Sequence, residues 1–208
     1  MGADLSVAEA IQRIGRPVFT TREIAALRRG SIASTTQTLR RMGRVRLVAP
    51  ASRGVWCVPT HPRFTPFALV PFLAGSHPAY VSFVTALHLH GLIEQIPQVI
   101  YAATTGHTRR VSTPQGGFSF HRIDPRFFDG HDWYRGGREF LIASPEKALV
   151  DCLYLSSRKT MRFRFLPEID LTASFDRRRA RGWIERIPDA RIREHARRRL
   201  DALRGGSA

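Results

Sequence analysis

The chain has 208 residues, 43% of them hydrophobic, and a formal net charge of +16. That is enough apolar material for a core, yet no run approaches the ~18 consecutive apolar residues of a membrane-spanning helix. The N-terminus also lacks the charged-then-apolar pattern of a secretory signal. Cys57 and Cys152 lie inside apolar runs and read as buried thiols of a cytoplasmic protein rather than as a disulfide framework.

The charge is unevenly placed. Residues 1–58 carry ten arginines against Asp4, Glu9 and Glu23. Residues 59–157 are nearly neutral, and residues 158–208 carry 15 basic against 7 acidic side chains. Only Lys147 and Lys159 are lysines. Arginine suits phosphate and base contacts; a general preference for arginine over lysine accounts equally well for the bias but not for the clustering.

Ser6 with Glu9 forms a capping box, and Val7, Ala10, Ile11 and Ile14 follow at helical spacing until Gly15 and Pro17. Thr20 with Glu23 is a second box, flanked by Phe19 and Ile24 at the staple positions, and opens a short helix ending near Gly30. Ser31 opens a third helix, expected to run to Met42 and to stop at Gly43. A hairpin should follow, with Arg46-Leu47-Val48 and Val55-Trp56-Cys57-Val58 as strands and Arg53 at the tip of the loop between them. Three helices, the last two joined by a tight glycine-containing turn, and then a hairpin describe a winged helix-turn-helix over residues 1–60.

At 100° per residue the third helix places Ile32, Thr35, Thr36, Leu39 and Met42 on one side. Ser34, Gln37 and Arg41 fall on the other, with Thr38 and Arg40 at its edges. Glutamine can pair bidentately with adenine and arginine with guanine, while serine or threonine serves either. Arg44, Arg46 and Arg53 are placed to hold flanking phosphates. A polar face used for protein contacts is the alternative, disfavoured by the scarcity of acidic residues nearby.

Five prolines between Val58 and Tyr80 suggest an extended, proline-rich linker over residues 61–79. Beyond it, residues 80–208 read as an α+β domain. Ser82 is placed to cap a helix stopped by Gly91. Residues 98–104, 118–123 (apolar face on the even positions) and 139–143 are expected strands. Ser144-Pro145 is a strong helix start. A helix capped at Ser174 and another capped at Asp189 end the chain, the last with Ile192, Ala196, Leu200 and Leu203 as its apolar stripe and Arg191, Arg193, Arg197, Arg198 and Arg199 opposite. That arginine face is either solvated or a second polyanion contact.

Residues 80–92, Ile96-Pro97, the Phe118–Phe120 strand, Phe128-Asp129-Gly130 and the 145–151 segment PEKALVD resemble the AbiEi antitoxin family. The similarity extends from about residue 17 to about residue 157. The resemblance implies a winged-helix repressor of its own operon that binds promoter repeats in double-stranded DNA. It also implies an antitoxin role in a type IV toxin–antitoxin (abortive-infection) pair, whose toxin is a nucleotidyltransferase-like protein encoded next door.

No catalytic constellation stands out, no metal site is expected and no cofactor motif is present. His88 and His90, two apart on a helix, point to different sides and cannot easily share an ion. Glu146-Lys147 side by side on a helix does not match the strand-borne carboxylates of a nuclease core; Glu146 reads as an acid favouring the helix dipole and Asp151 as a local ordering group. A protein- or RNA-interaction module using the winged helix and basic tail remains an alternative, as does a nucleic-acid enzyme.

Overall fold

The computed structural model describes residues 5–134, 140–157, 163, 165–171 and 174–203. Among them are eight α-helices and two sheets, an α+β architecture. Glu139, the expected start of one strand, lies outside the described residues.

The first unit begins with α1 (Val7–Ile14), whose capping box joins Ser6 and Glu9 and which ends at Gly15 in the left-handed region. A short strand, β1 (Val18–Thr20), leads directly into α2 (Thr21–Leu27), because Thr20 both ends the strand and caps the helix. The Thr20 hydroxyl accepts from the Glu23 amide at 3.2 Å, and the Glu23 carboxylate accepts from the Thr20 amide at 2.7 Å. Then comes α3 (Ile32–Arg44), capped by Ser31.

Gly43 does not stop this helix. It lies within it, where an added Cβ would meet the Val48 carbonyl at 3.6 Å and the Trp56 ring at 3.8 Å. The stop is Arg46, which adopts φ of 59°. The Arg46 amide donates to the Gly43 carbonyl and the Leu47 amide to that of Met42, a Schellman arrangement with arginine where glycine is usual. The same pattern closes α2, with Arg29 at φ 52° ahead of Gly30.

The hairpin is displaced from its expected position. Its strands are β2 (Ala49–Ser52) and β3 (Val55–Cys57), so residues 46–48 form the turn out of α3 rather than a strand. Arg53 and Gly54 make the tip. The sequence reading missed β1, which is only three residues long; it pairs antiparallel with β3 and gives the order β1-β3-β2. Val7, Ala10, Phe19, Ile24, Leu39, Val48 and Trp56 form the core of this unit. The Trp56 indole donates to the Thr21 hydroxyl at 2.9 Å, satisfying its one buried donor.

Residues 61–79 are not an extended linker. They contain a 3-10 turn at Pro66–Leu69 and a short helix, α4 (Val70–Leu73), with Ala68, Leu69, Val70 and Leu73 buried. The prolines sit at the first positions of these turns, where their missing N–H costs nothing. One continuous core joins Val18, Val55 and Cys57 of the small sheet, through Leu69 and Leu73, to the large sheet. Burial pushes the Cys57 thiol up to about 11, so it is inert in this setting.

The large sheet contains β4 (Ala79–Val81), β5 (Val99–Thr104), β6 (Arg109–Thr113), β7 (Gly116–Arg122), β8 (His131–Trp133) and β9 (Leu141–Ala143), in the order β6-β7-β5-β4-β9-β8. Pairings β5–β7 and β4–β9 are parallel and the rest antiparallel. Residues 109–110 therefore belong to a strand. The alternation expected around Phe118 does not separate core from solvent, since Ser119 and His121 on the opposite face are buried as well. That face meets α5 (Phe83–Leu89), where His121 lies edge-on to Phe83. On the other face Arg109 lies over Phe120 and donates to the Leu73 carbonyl of α4 at 2.6 Å. Covering both faces of a sheet removes the period-two signal.

Helix α6 (Pro145–Ser156) starts at the expected Ser144 cap and is buried over its whole length. It is enclosed because α7 (Arg177–Glu185) and α8 (Ala190–Ala202) pack on its outer side, bringing Ala180, Ile184, Ile187, Ala196 and Leu200 into the core. Asp176 caps α7, not Ser174. Asp189 caps α8 as expected.

Candidate nucleic-acid interface

The packing of α3 fixes which of its residues face outwards. Thr35 and Leu39 are buried, Thr36 and Met42 are half-buried, and Ile32 is exposed rather than part of the inner face. Ser34, Gln37, Arg40, Arg41 and Arg44 are exposed, and Thr38 is half-buried. Arg46 and Arg53 are exposed too, one just beyond the helix and one at the hairpin tip.

Not all of these groups are equally free. The Ser34 hydroxyl donates to the Ser31 carbonyl at 3.1 Å and receives the Ser31 hydroxyl, so it belongs to the helix start. The Thr38 hydroxyl donates to the Ser34 carbonyl at 3.1 Å. Gln37 makes no such bond among the described residues. Among the described residues, none of Arg40, Arg41, Arg44, Arg46 and Arg53 forms an ion pair. The face is thus a set of unneutralised cations around one free amide side chain.

The C-terminal arginines are engaged differently. Arg177 donates to the Leu200 and Leu203 carbonyls at 2.9 and 2.6 Å. Arg193 reaches the Ile187 carbonyl at 2.9 Å. Arg181 pairs with Asp201, Arg186 with Asp129, and Arg197 with Glu185 and Glu194. Part of the positive charge at that end is therefore engaged within the fold, including Arg193 and Arg197 of the α8 arginine face.

The sequence reading missed a third feature. Lys147 and Asp151, one turn apart on α6, form an ion pair with both side chains at 0% exposure. The Asp151 carboxylate also accepts from the Ser82 hydroxyl at 2.7 Å and from the Tyr80 hydroxyl at 3.0 Å. Lys147 donates to the Tyr80 oxygen at 2.9 Å and lies 3.9 Å from the Phe127 ring centre. Ser82, at the capping position of α5, makes no cap hydrogen bond and serves this cluster instead. Burial drives the Lys147 ammonium below its ordinary value, against the pull of Asp151. Burial and the Asp151 charge together drive the Tyr80 hydroxyl up. Glu146 is buried as well, and its carboxylate accepts the Asp176 amide at the start of α7 at 3.2 Å. The i, i+4 spacing of Lys147 and Asp151 was visible in sequence, but it reads as a surface pair until α7 and α8 close over it.

The histidines diverge as expected: His90 meets the Ala143 carbonyl at 2.8 Å, His88 the Ile93 carbonyl at 3.4 Å, and His121 the Ser119 hydroxyl at 3.0 Å. Compared with known proteins, the chain matches no family model, and no curated protein matches it.

Proposed function

We propose that this protein is a sequence-specific, double-stranded-DNA-binding transcriptional repressor, with the unit before residue 60 acting as a winged helix-turn-helix. The observation that carries this reading is the exposed face of α3: Gln37, flanked by Arg40, Arg41 and Arg44, with Arg46 and Arg53 at its margins and, among the described residues, none of these arginines ion-paired. The element order α1-β1-α2-α3-β2-β3, with the third strand central in the sheet, supports it. In this reading Gln37 and Arg41 meet base edges and Ser34, Thr38 and Arg40 line the approach. Arg44, Arg46 and Arg53 hold phosphates. On the strength of the resemblance to AbiEi antitoxins the proposal extends to a type IV antitoxin that autoregulates its operon and has a nucleotidyltransferase-like toxin as its partner.

Fluorescence anisotropy on the DNA upstream of the reading frame, over a salt series with random duplex as competitor, tests the first part. Tight binding that survives competitor is expected, with log K falling by about 0.9 per phosphate contact for each unit of log salt. Equal, salt-erased binding to both duplexes would refute sequence specificity and favour an RNA- or protein-interaction module.

A further inference from the structure

A cleft of about 590 Å³ lies at the joint between the first unit and the large sheet. Arg16 and Val18 line it from the first unit, Ala68, Pro71 and Phe72 from the middle segment, and Trp133 from β8. Its walls are apolar and partly aromatic. Trp133 is 61% exposed, so its indole is accessible from the cleft. Arg16 is the one charged group among the lining residues. Its guanidinium lies over Phe72, 5.5 Å from the ring centre, and pairs with Glu23. Its Nε is buried and finds no hydrogen-bond partner among the described residues. A buried donor left unmade is costly, and a carboxylate satisfies two guanidinium donors at once.

We propose that this cleft binds a small aromatic carboxylate, with the flat apolar body between Phe72 and Trp133 and the carboxylate on Arg16. The second half of the inference rests on the DNA-binding reading above. Glu23, the present partner of Arg16, also closes the capping box of α2 through Thr20. Burial alone would raise the Glu23 carboxyl; the Thr20 hydrogen bonds and the Arg16 charge together hold it below its ordinary value. Arg16 holds Oε1 of Glu23 while Thr20 holds Oε2, so a ligand carboxylate that draws Arg16 away removes one of the two anchors on the Glu23 carboxylate at the start of α2, against which α3 packs. The ligand thereby weakens DNA binding.

The test compares 2-naphthoate with the neutral 2-naphthalenemethanol, titrated into the full-length protein and followed by calorimetry and tryptophan fluorescence. The acid is expected to bind about tenfold more tightly, the worth of one charge-assisted contact. Arg16→Gln should bring the two compounds level, and Trp133→Ala, at an exposed position that folding tolerates, should weaken both. Equal affinities in the wild type, a preference that survives Arg16→Gln, or indifference to Trp133→Ala would overturn the site. Saturating naphthoate should lower the affinity of the wild type for its upstream duplex and leave that of Arg16→Gln unchanged; DNA binding indifferent to naphthoate would overturn the regulatory half. If the wild type binds no duplex specifically, the reading of the α3 face fails, while the naphthoate comparison still decides the cleft.

Discussion

Replacing Asp151 by asparagine keeps the size of the side chain and its acceptor oxygen for Ser82 or Tyr80, but it leaves the Lys147 ammonium without a counter-charge. Lys147 has 0% exposed side-chain surface, so water cannot take over that role. Removing one partner of a buried pair typically costs about 3–5 kcal/mol. Lys147 has one escape, to fold as the neutral amine. Starting from an ordinary value of 10.5, deprotonation at neutral pH costs about 5 kcal/mol, which sets a ceiling on the loss. The expected loss of about 3–5 kcal/mol corresponds to a fall in Tm of roughly 6–20 °C for a chain of this size. Urea denaturation at pH 7 measures it. The sign of the pH dependence identifies the cause. In Asp151→Asn the folded state binds fewer protons than the unfolded state, so the variant should regain stability as pH rises from 7 towards 10. A double variant, Lys147→Met with Asp151→Leu, should recover most of the loss because no charge is left stranded. A loss under about 1 kcal/mol, or one that deepens as pH rises, would refute the account of a desolvated, mutually dependent pair.

Gln37→Ala should change sequence preference while leaving random-duplex binding intact, whereas Arg44→Ala should weaken all duplexes alike and reduce the salt slope by about 1; equal losses on specific and random DNA for Gln37→Ala would refute the assigned face. Arg46→Gly separates backbone from side chain: it relieves the left-handed strain at φ 59° and should stabilise the fold by up to about 1 kcal/mol in thermal denaturation, yet weaken binding to every duplex. Arg191→Ala and Arg198→Ala should leave the salt slope unchanged if the C-terminal arginine face is merely solvated. Deleting α7 and α8 is the wrong experiment for that question, because it strips core residues from α6. Burial, helped by the Lys147 charge, lowers His131 from its ordinary 6.5, against the pull of Asp129. The neutral ring's contribution is present above pH 6.5 and is lost as pH falls through that value towards the depressed folded one. His131→Phe should flatten that part of the stability profile measured by denaturant titration.

The first unit was largely legible in advance because its signals are local. Ser6 with Glu9, Thr20 with Glu23 and Ser31 each fix a helix start through bonds spanning three residues. Helical periodicity then assigns the outer face of α3. The errors here came where a residue's environment lies far along the chain. Gly43 reads as a stop until Trp56 is seen packed against it, and Val18-Phe19-Thr20 reads as a connection until β3 pairs with it. In the larger domain the expected strands around residues 100, 120 and 142 are present, but β4, β6 and β8 were not foreseen. Being short or flanked by prolines and arginines, they owe their existence to their partners.

The sequence by itself determined the capping boxes, the start of α6 at Ser144-Pro145, the distribution of charge along the chain and the polar face of α3, because each depends on neighbours within about one helical turn. Tertiary structure alone decided that Ala68, Leu69, Val70 and Leu73 of the middle segment are buried, that Trp133 and Arg16 line one cleft, and that Lys147 and Asp151 are sealed together. Burial is a property of what packs on top of a residue, and here the covering elements, α7 and α8, lie more than twenty residues further along the chain. Folding also brings carboxylates or carbonyls to Arg177, Arg181, Arg186, Arg193 and Arg197, whereas among the described residues it brings no carboxylate to Arg40, Arg41 or Arg44 on α3.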